Sequence, residues 1–193
     1  MLQCVSLIKW LKYFLDPQIK IDKRKEETEL KLFDALKVRY QSEAVFDEIK
    51  INDLCQNASI SRATFYRHHQ NIGDVIVVQF LIEIAKFKQQ IDDLEQLDFT
   101  NASTVIVDMI YANIELFKMM KWGNVQAEIQ SLFSGTALQI LILRDYSKQT
   151  RNFISDFLGT TILSFAQQIA QAPDSIAKTE GLRLYRLLIP NNL

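Results

Sequence analysis

Apolar side chains recur through most of this chain at intervals of three or four residues, which is the spacing of one face of an α-helix. No stretch alternates apolar and polar residues in the way that a half-buried strand does. The sequence therefore predicts an all-α fold of eight or nine helices. The main apolar stripes predict helices over 26–42, 73–94, 100–120, 126–146, 149–171 and 175–189.

The predicted helix over 26–42 has two features of its own. Acidic side chains near its start suit the positive end of the helix dipole, and they are Glu26, Glu27 and Glu29. Apolar side chains near helical spacing predict a stripe that faces the core, formed by Leu30, Phe33, Leu36 and Tyr40.

Composition narrows the class of protein. Of 193 residues, 48% are hydrophobic, which is enough for a substantial core, and only five Gly and three Pro leave few turns for an all-β fold. The net charge of −1 excludes a chain that coats nucleic acid without specificity. Cys4 and Cys55 lack metal-binding spacing and suit a reducing compartment, so we expect a cytoplasmic protein. We interpret Cys55 as a small buried side chain rather than as a redox sensor.

The N-terminal extension, residues 1–19, is apolar over its first fifteen residues apart from a polar residue at every third position. It is shorter than the roughly 20 residues of a membrane-spanning helix and lacks a signal-peptide cleavage site. Two interpretations stay open, an extra helix packed on the body of the protein and a helix lying on a membrane surface. We expect the first and do not expect a membrane partner.

The stretch 50–75 carries the most specific pattern in the chain. It predicts a short helix, a tight turn at 57–59 and a second short helix capped by the hydroxyl of Ser61. Residues 59–73 include no acid, while hydrogen-bond donors are frequent among them. A short, acid-free helix that is rich in donors suits the phosphate-lined major groove of DNA.

The same stretch resembles the DNA-binding domain of TetR/AcrR-type transcriptional regulators, and the resemblance covers residues 27–76. The matching residues include both core and outward positions, namely Asp53, Leu54, Ala58, Ile60, Ser61, Thr64, Phe65, Tyr66, Arg67 and His68. Four positions depart from the family pattern. Lys50 replaces Thr, Ser59 replaces Gly, His69 replaces an aromatic residue, and Ile72 replaces a Lys that contacts phosphate in the family.

The resemblance implies a set of DNA-contacting residues, namely Lys50, Ser61, Arg62, Ala63, Thr64, Tyr66, Arg67 and His68. Arg62 and Thr64 lie at the start of the second short helix, which enters the groove first, so we expect them at base edges. Tyr66 and Arg67 would hold phosphates through a hydroxyl and a guanidinium group. Lys50 is either a further phosphate contact or a solvated lysine.

His68 and His69 are the two histidines of the sequence, and they are adjacent, so they cannot form an i, i+4 metal pair. We interpret His69 as a mostly buried imidazole whose hydrogen bonds are satisfied, rather than as a pH switch. The sequence also lacks a P-loop, a G-x-G-x-x-G stretch and a catalytic triad with local support. We therefore predict neither an enzyme nor a bound metal or cofactor.

Residues 77–193 are predicted to form a larger helical bundle, in which the resemblance implies a pocket for a small apolar effector. The candidate lining residues are Phe87, Met109, Tyr111, Asn113, Phe117 and Phe133. Tyr111 and Asn113 would orient the ligand through their polar groups. A solid core is the alternative, because aromatic stripes at helical spacing are also ordinary in cores.

These expectations combine into one functional hypothesis and one rival. The chain would be a TetR-like repressor, with a helix-turn-helix DNA-binding domain at 20–76, an effector-binding and dimerisation domain at 77–193, and a homodimer formed through its C-terminal helices. Such a dimer would bind a near-palindromic double-stranded DNA operator and leave it when the effector binds. The rival is a helical interaction module that binds a protein or membrane partner. Ten basic against ten acidic residues over 20–75, and the Lys lost at Ile72, favour the rival.

Overall fold

The computed structural model describes residues 23–96, 98–143 and 145–189. Within these residues the chain forms nine α-helices, one short 3-10 helix at Phe46–Glu48 and no strand. The prediction of an all-α fold is confirmed. The N-terminal extension 1–19 lies outside the described residues, so the extra helix expected there stays a prediction. In the described part of the chain no helix is both long and apolar enough to cross a lipid bilayer.

The helices in chain order are α1 (Lys23–Gln41), α2 (Ile51–Asn57), α3 (Arg62–His68), α4 (Gly73–Asp92), α5 (Phe99–Ala112), α6 (Ile114–Trp122), α7 (Gln126–Leu143), α8 (Arg151–Gln171) and α9 (Lys178–Leu188). The stretch 100–120, predicted as one helix, is two helices that meet at Asn113. Asn113 leaves the helical region, with φ −124° and ψ 23°, and its side-chain amide donates to the carbonyl oxygen of Met109 at 2.9 Å. That bond satisfies a carbonyl which the end of α5 leaves without a helical partner.

The chain divides into two compact units, and each is described by itself. The first unit comprises the chain up to Ile82 together with Met119–Val125, and the second comprises Glu83–Lys118 and the chain from Gln126 onward. The division within α4 lies six residues beyond the predicted one at 76–77. Nothing in the sequence pattern indicates that the end of α6 belongs with the first unit.

In the first unit, α1 buries most of the predicted stripe: Leu36 is buried, Phe33 and Tyr40 are half-buried, and Leu30 alone is exposed. Leu32 and Leu36 are fully buried, but Leu30 is 52% exposed and Glu29 only 2% exposed. Glu29, Leu32 and Leu36 lie at i, i+3 and i+7, so the buried stripe begins with a carboxylate. The prediction for Leu30 is wrong. So is the assignment of Glu29 to the helix dipole, because α1 begins at Lys23 and Glu29 lies beyond its first turn.

An aromatic cluster joins the end of α6 to the first unit. Trp122 donates a hydrogen bond from Nε1 to the carbonyl oxygen of Ala44 at 2.8 Å. Tyr40 and Phe46 meet the indole edge-to-face, with ring centroids 5.3 and 4.9 Å away. The indole N–H is thereby satisfied while its ring is packed, which fixes this turn of chain in the first unit.

In the second unit, α7 packs along α8 and α9 packs on α5. A Cβ on Gly159 of α8 would overlap the backbone of α7, so the missing side chain is what permits this close approach. At the other contact, Tyr111 donates from its hydroxyl to the carbonyl oxygen of Ile176 at 3.0 Å. Arg186 donates from Nε to Ser103 Oγ at 2.9 Å. These polar contacts hold α9 in position against α5.

Candidate functional site

Helices α2 and α3 are joined by a four-residue turn. Ser59 adopts a left-handed conformation with φ 55°, and the N–H of Ile60 donates to the carbonyl oxygen of Cys55 at 2.9 Å, which closes the turn. Ser61 caps α3, since its Oγ accepts a hydrogen bond from the N–H of Thr64 at 3.0 Å. The predicted N-cap is confirmed.

The eight residues predicted to contact DNA lie at the start of α2 and along α3. Thr64 and His68 are half-buried, and the exposed members are Lys50, Ser61, Arg62, Ala63, Tyr66 and Arg67. The guanidinium of Arg62 lies 5.8 Å from the ring centroid of Tyr66, a cation–π distance that keeps both side chains on one face. Beneath that face, Phe65 is fully buried and anchors the helix.

The positive charge of this face comes from Arg62 and Arg67, and the first turn of α3 holds no acid. Burial lowers the pKa of His68 below its ordinary value, so its imidazole is uncharged at neutral pH. The face therefore offers two fixed cations, a phenol and hydroxyl groups. It can donate hydrogen bonds to an anionic or acceptor-rich partner, and its exposed groups include no acid or general base poised for catalysis.

A buried pair of polar side chains, His69 and Glu29, lies behind α3. His69 is 1% exposed and Glu29 2% exposed, and His69 Nε2 lies 2.9 Å from Glu29 Oε2. The contact has the distance of an ion pair but not the angles of a hydrogen bond. Phe65 packs against the imidazole, with ring centroids 5.1 Å apart. His69 is buried, as predicted, but neither ring nitrogen makes a hydrogen bond, so the expectation of satisfied hydrogen bonds is wrong. Its neighbour Glu29 was missed. The sequence did contain a sign that Glu29 is buried, because Glu29 lies on the same helical face as Leu32 and Leu36.

A cavity of about 420 Å³ lies in the second unit. It is lined by side chains of α4, α5, α7, α8 and α9, most of them aliphatic or aromatic, including Ile84, Phe87, Met109, Phe133, Leu141 and Ile162. Its volume is within the roughly 300–1,000 Å³ typical of small-molecule sites. The second unit is therefore not a solid core.

The six residues predicted to line a pocket divide into two groups. Phe87, Met109 and Phe133 line the cavity, whereas Tyr111, Asn113 and Phe117 do not. Tyr111 and Asn113 use their polar groups on backbone carbonyls at the α5 contacts described above. Phe117 is fully buried and packs on Phe133, with ring centroids 6.2 Å apart. Helical periodicity predicts that a residue faces the interior. It does not predict whether the side chain lines a cavity or packs in the core.

The cavity has few polar groups, and sequence reasoning missed all of them. Ser103 Oγ donates to the carbonyl oxygen of Thr100 at 2.9 Å, and Thr136 Oγ1 donates to that of Leu132 at 2.8 Å, so both hydroxyl protons are already engaged. Tyr185 is different. It is 2% exposed, and no hydrogen bond to its hydroxyl is found among the described residues.

An exposed apolar strip runs along the outer face of α7 and α8. Phe153 is 76% exposed and Phe157 48% exposed, and their rings stack with centroids 6.5 Å apart. On α7, Ile142 is 44% exposed, and Gly135 is exposed, with open space where a Cβ would lie. Stacked exposed phenylalanines next to small residues are typical of a surface that another protein covers.

No cluster of three metal-binding side chains occurs within the described residues. Cys55 is 2% exposed, and burial raises the pKa of its thiol above the ordinary value. A buried thiol with a raised pKa is a poor nucleophile, which agrees with its interpretation as a core side chain.

Comparison with known proteins gives one informative result. The chain is similar to Lin0861 from Listeria innocua, a protein of known crystal structure, at 30% sequence identity and a TM-score of 0.82. The match covers 91% of this chain and 96% of that one. No protein-family model and no curated protein matches the chain. The likeness extends over both units.

Proposed function

We propose that this chain, which belongs to the same family as Listeria innocua Lin0861, is a DNA-binding transcriptional regulator of TetR type, with α2 and α3 as its helix-turn-helix. The observation that carries the proposal is the exposed face of α3. A serine-capped helix presents Arg62, Tyr66 and Arg67 outward, with no acid between 59 and 73. That arrangement matches the polyanionic surface and the acceptor-rich major groove of duplex DNA.

Each residue of the face has a proposed role. Arg62 and Thr64 stand at the N-terminal end of α3 and would read base edges, since that end enters the groove first. Tyr66 and Arg67 would bind phosphates, together with Lys50 at the N-terminus of α2. His68 is half-buried and uncharged, so it would contribute a neutral hydrogen bond rather than a charge.

A homodimer is the second part of the proposal. The exposed strip on α7 and α8, which includes Phe153 and Phe157, would pack against the same strip of a second copy. Two-fold symmetry of the protein then requires a near-palindromic operator with one half-site for each α3. Phe153 would lose most of its exposed surface in such an interface.

Effector control is the third part. Residues of the second half of α4, including Phe87 and Ile91, line the cavity, and the same helix continues back to Gly73 beside α3. A ligand that binds better when α4 is shifted would favour a dimer whose two α3 helices no longer fit both half-sites. The protein is then a repressor released by a small apolar molecule.

Selection from random duplex DNA tests the proposal. The full-length protein should enrich a near-palindromic sequence, and Arg62→Ala should weaken binding to it in a gel-shift assay. Lys118→Ala, which removes an exposed cation of the second unit, is the matched control and should bind as the unmutated protein does. Failure to enrich any sequence would contradict the proposal that the protein is a transcriptional regulator.

A helical interaction module is the second candidate. Ile72, which stands where the family has a phosphate-contacting Lys, is 8% exposed and part of the core. One expected phosphate contact is therefore lost from the DNA-binding face. If the random pool yields nothing while the protein still dimerises, the partner of this surface is a protein or membrane.

A further inference from the structure

The charges and hydrogen-bond groups around the cavity restrict what it can hold. The described residues that line it include no Lys, Arg or His. Asp98 is the one charged residue among them, and it is exposed, where its carboxylate caps α5 by accepting from the N–H of Asn101 at 2.8 Å. An anionic ligand would therefore lose its hydration without gaining a counter-charge, which is strongly unfavourable.

Arg186 lies close to the lining residue Ser103 but is not available to a ligand. Its Nε donates to Ser103 Oγ at 2.9 Å, and its Nη2 donates to the carbonyl oxygen of Thr100 at 2.9 Å and to Thr104 Oγ1 at 3.0 Å. These bonds hold the guanidinium on the outer side of α5 and α9. The hydroxyl of Ser103 keeps only acceptor capacity, because its proton is donated to Thr100.

Two phenols remain as donors among the described lining residues: Tyr146, which is 36% exposed, and Tyr185, which is buried. Tyr185 is the one removed from solvent. Its ring is held edge-to-face against Phe165, with centroids 5.1 Å apart, and the side chain is 98% buried at the cavity wall. Burial raises its pKa well above the ordinary value, so the phenol keeps its proton at every physiological pH. Its hydroxyl makes no hydrogen bond with the described residues, so an acceptor atom on a ligand would add one.

We infer that Tyr185 is the specificity-determining donor of this cavity, and that its ligand is an uncharged, largely hydrocarbon molecule with one acceptor oxygen, such as a ketone, ester or ether. The inference rests on the proposed function to the extent that this ligand is the regulator's effector. The binding itself does not require DNA, so the two can fail separately.

Displacement of an uncharged fluorophore, N-phenyl-1-naphthylamine, from the full-length protein tests the inference. Four competitors share one skeleton: butylbenzene, butyrophenone, 4-phenylbutanoate and 4-phenylbutylammonium. Butyrophenone should bind about three- to tenfold more tightly than butylbenzene, which is the effect of one hydrogen bond. The two ions should bind at least about thirtyfold more weakly than butyrophenone, because neither finds a buried counter-charge.

Tyr185→Phe keeps the ring and removes the donor. It should reduce the affinity for butyrophenone to that for butylbenzene and leave butylbenzene unchanged. Tyr111→Phe is the matched control, because its hydroxyl is bonded to Ile176 outside the cavity, and it should preserve the preference for the ketone. Ala137→Trp, or Ile140→Trp if the first variant does not fold, should fill the space and abolish binding of the fluorophore.

Three results would overturn the inference: an ion that competes as well as butyrophenone, a ketone preference that survives Tyr185→Phe, or fluorophore binding unaffected by filling the cavity. Operator release is measured separately by gel shift with butyrophenone present. Binding without release would contradict the effector role in the proposed function, while the assignment of Tyr185 would stand.

Discussion

The two units differ in what they bury and in what they expose. In the first, the buried polar groups of Glu29 and His69 face each other, and positive charge is placed outside on Arg62 and Arg67. In the second, the interior keeps a cavity of about 420 Å³, at whose wall Tyr185 has no hydrogen bond among the described residues. The first unit buries two polar side chains against each other, whereas the second has a cavity that a ligand can fill.

The difference suits the two proposed roles. Side chains that read DNA must be held to within roughly 0.5 Å of their working geometry, and the fully buried Phe65 anchors the helix that would present them. A binding cavity works in the opposite way, because the free energy that the ligand gains by filling it is what shifts the conformational equilibrium.

The largest expected effect concerns the outer surface of the second unit. Phe157→Asp places a charge in the proposed dimer interface, so the two α3 helices would no longer bind one operator together. Losing this second attachment should weaken operator binding by about 10²- to 10⁴-fold. Sedimentation should show a monomer with unchanged helical content.

Leu187→Asp is the control for that experiment, since Leu187 is 68% exposed on α9, a helix that is not part of the strip. It should remain a dimer and bind the operator. If the unmutated protein is a monomer at micromolar concentration, the dimer proposal fails.

The second prediction concerns the contribution of Glu29 and His69 to the stability of the first unit. His69→Ala leaves the carboxylate of Glu29 buried without a partner and should cost about 3–5 kcal/mol of unfolding free energy. Replacing both, with Glu29→Leu and His69→Phe, should restore most of the stability, because apolar side chains can fill the same space. Urea unfolding measures all three proteins.

Glu27→Ala is the matched control, because Glu27 is exposed on the same helix. It should change the unfolding free energy by less than about 0.5 kcal/mol. Equal losses from Glu27→Ala and His69→Ala would mean that the pair contributes nothing specific to the interior.

The third prediction distinguishes the roles of Arg62 and Arg67, which both lie on the exposed face of α3. Arg62→Ala should cost about 1–3 kcal/mol of operator binding and relax specificity at one base pair. Arg67→Ala should weaken binding to all sequences alike and reduce the salt dependence by about one charge. Sequence-independent losses of equal size from both variants would contradict these roles.

The sequence predicted the first unit better than the second for a physical reason. The candidate face of α3 is formed by neighbours in the chain, so the cap at Ser61 and the outward arginines follow from local spacing alone. Glu29 was misassigned because its partner His69 is forty residues away, and no local rule connects them.

The residues that line the cavity were harder to predict from the sequence. Helical periodicity identified Phe87, Met109 and Phe133 as inward residues, and they do line the space. It could not identify Tyr185, because the position of α9 against α5 depends on contacts between residues far apart in the chain. Tyr111 was chosen as the orienting group on the same pattern, yet its hydroxyl is bonded to Ile176 instead.

The smallest expected effect concerns the turn before α3. Ser59 has φ 55°, a conformation that costs a residue with a Cβ roughly 1–2 kcal/mol and costs glycine little. Ser59→Gly should therefore stabilise the protein, by up to about 1 kcal/mol once the extra flexibility of glycine in the unfolded chain is counted. Ser42→Gly, at an exposed serine whose φ is not positive, should instead destabilise it slightly. Because neither residue belongs to the exposed face of α3, operator affinity should not change. A loss of operator affinity in Ser59→Gly with stability unchanged would mean that the strained turn itself positions α3. The buried side chains behind α3 would then not be enough to hold it in place.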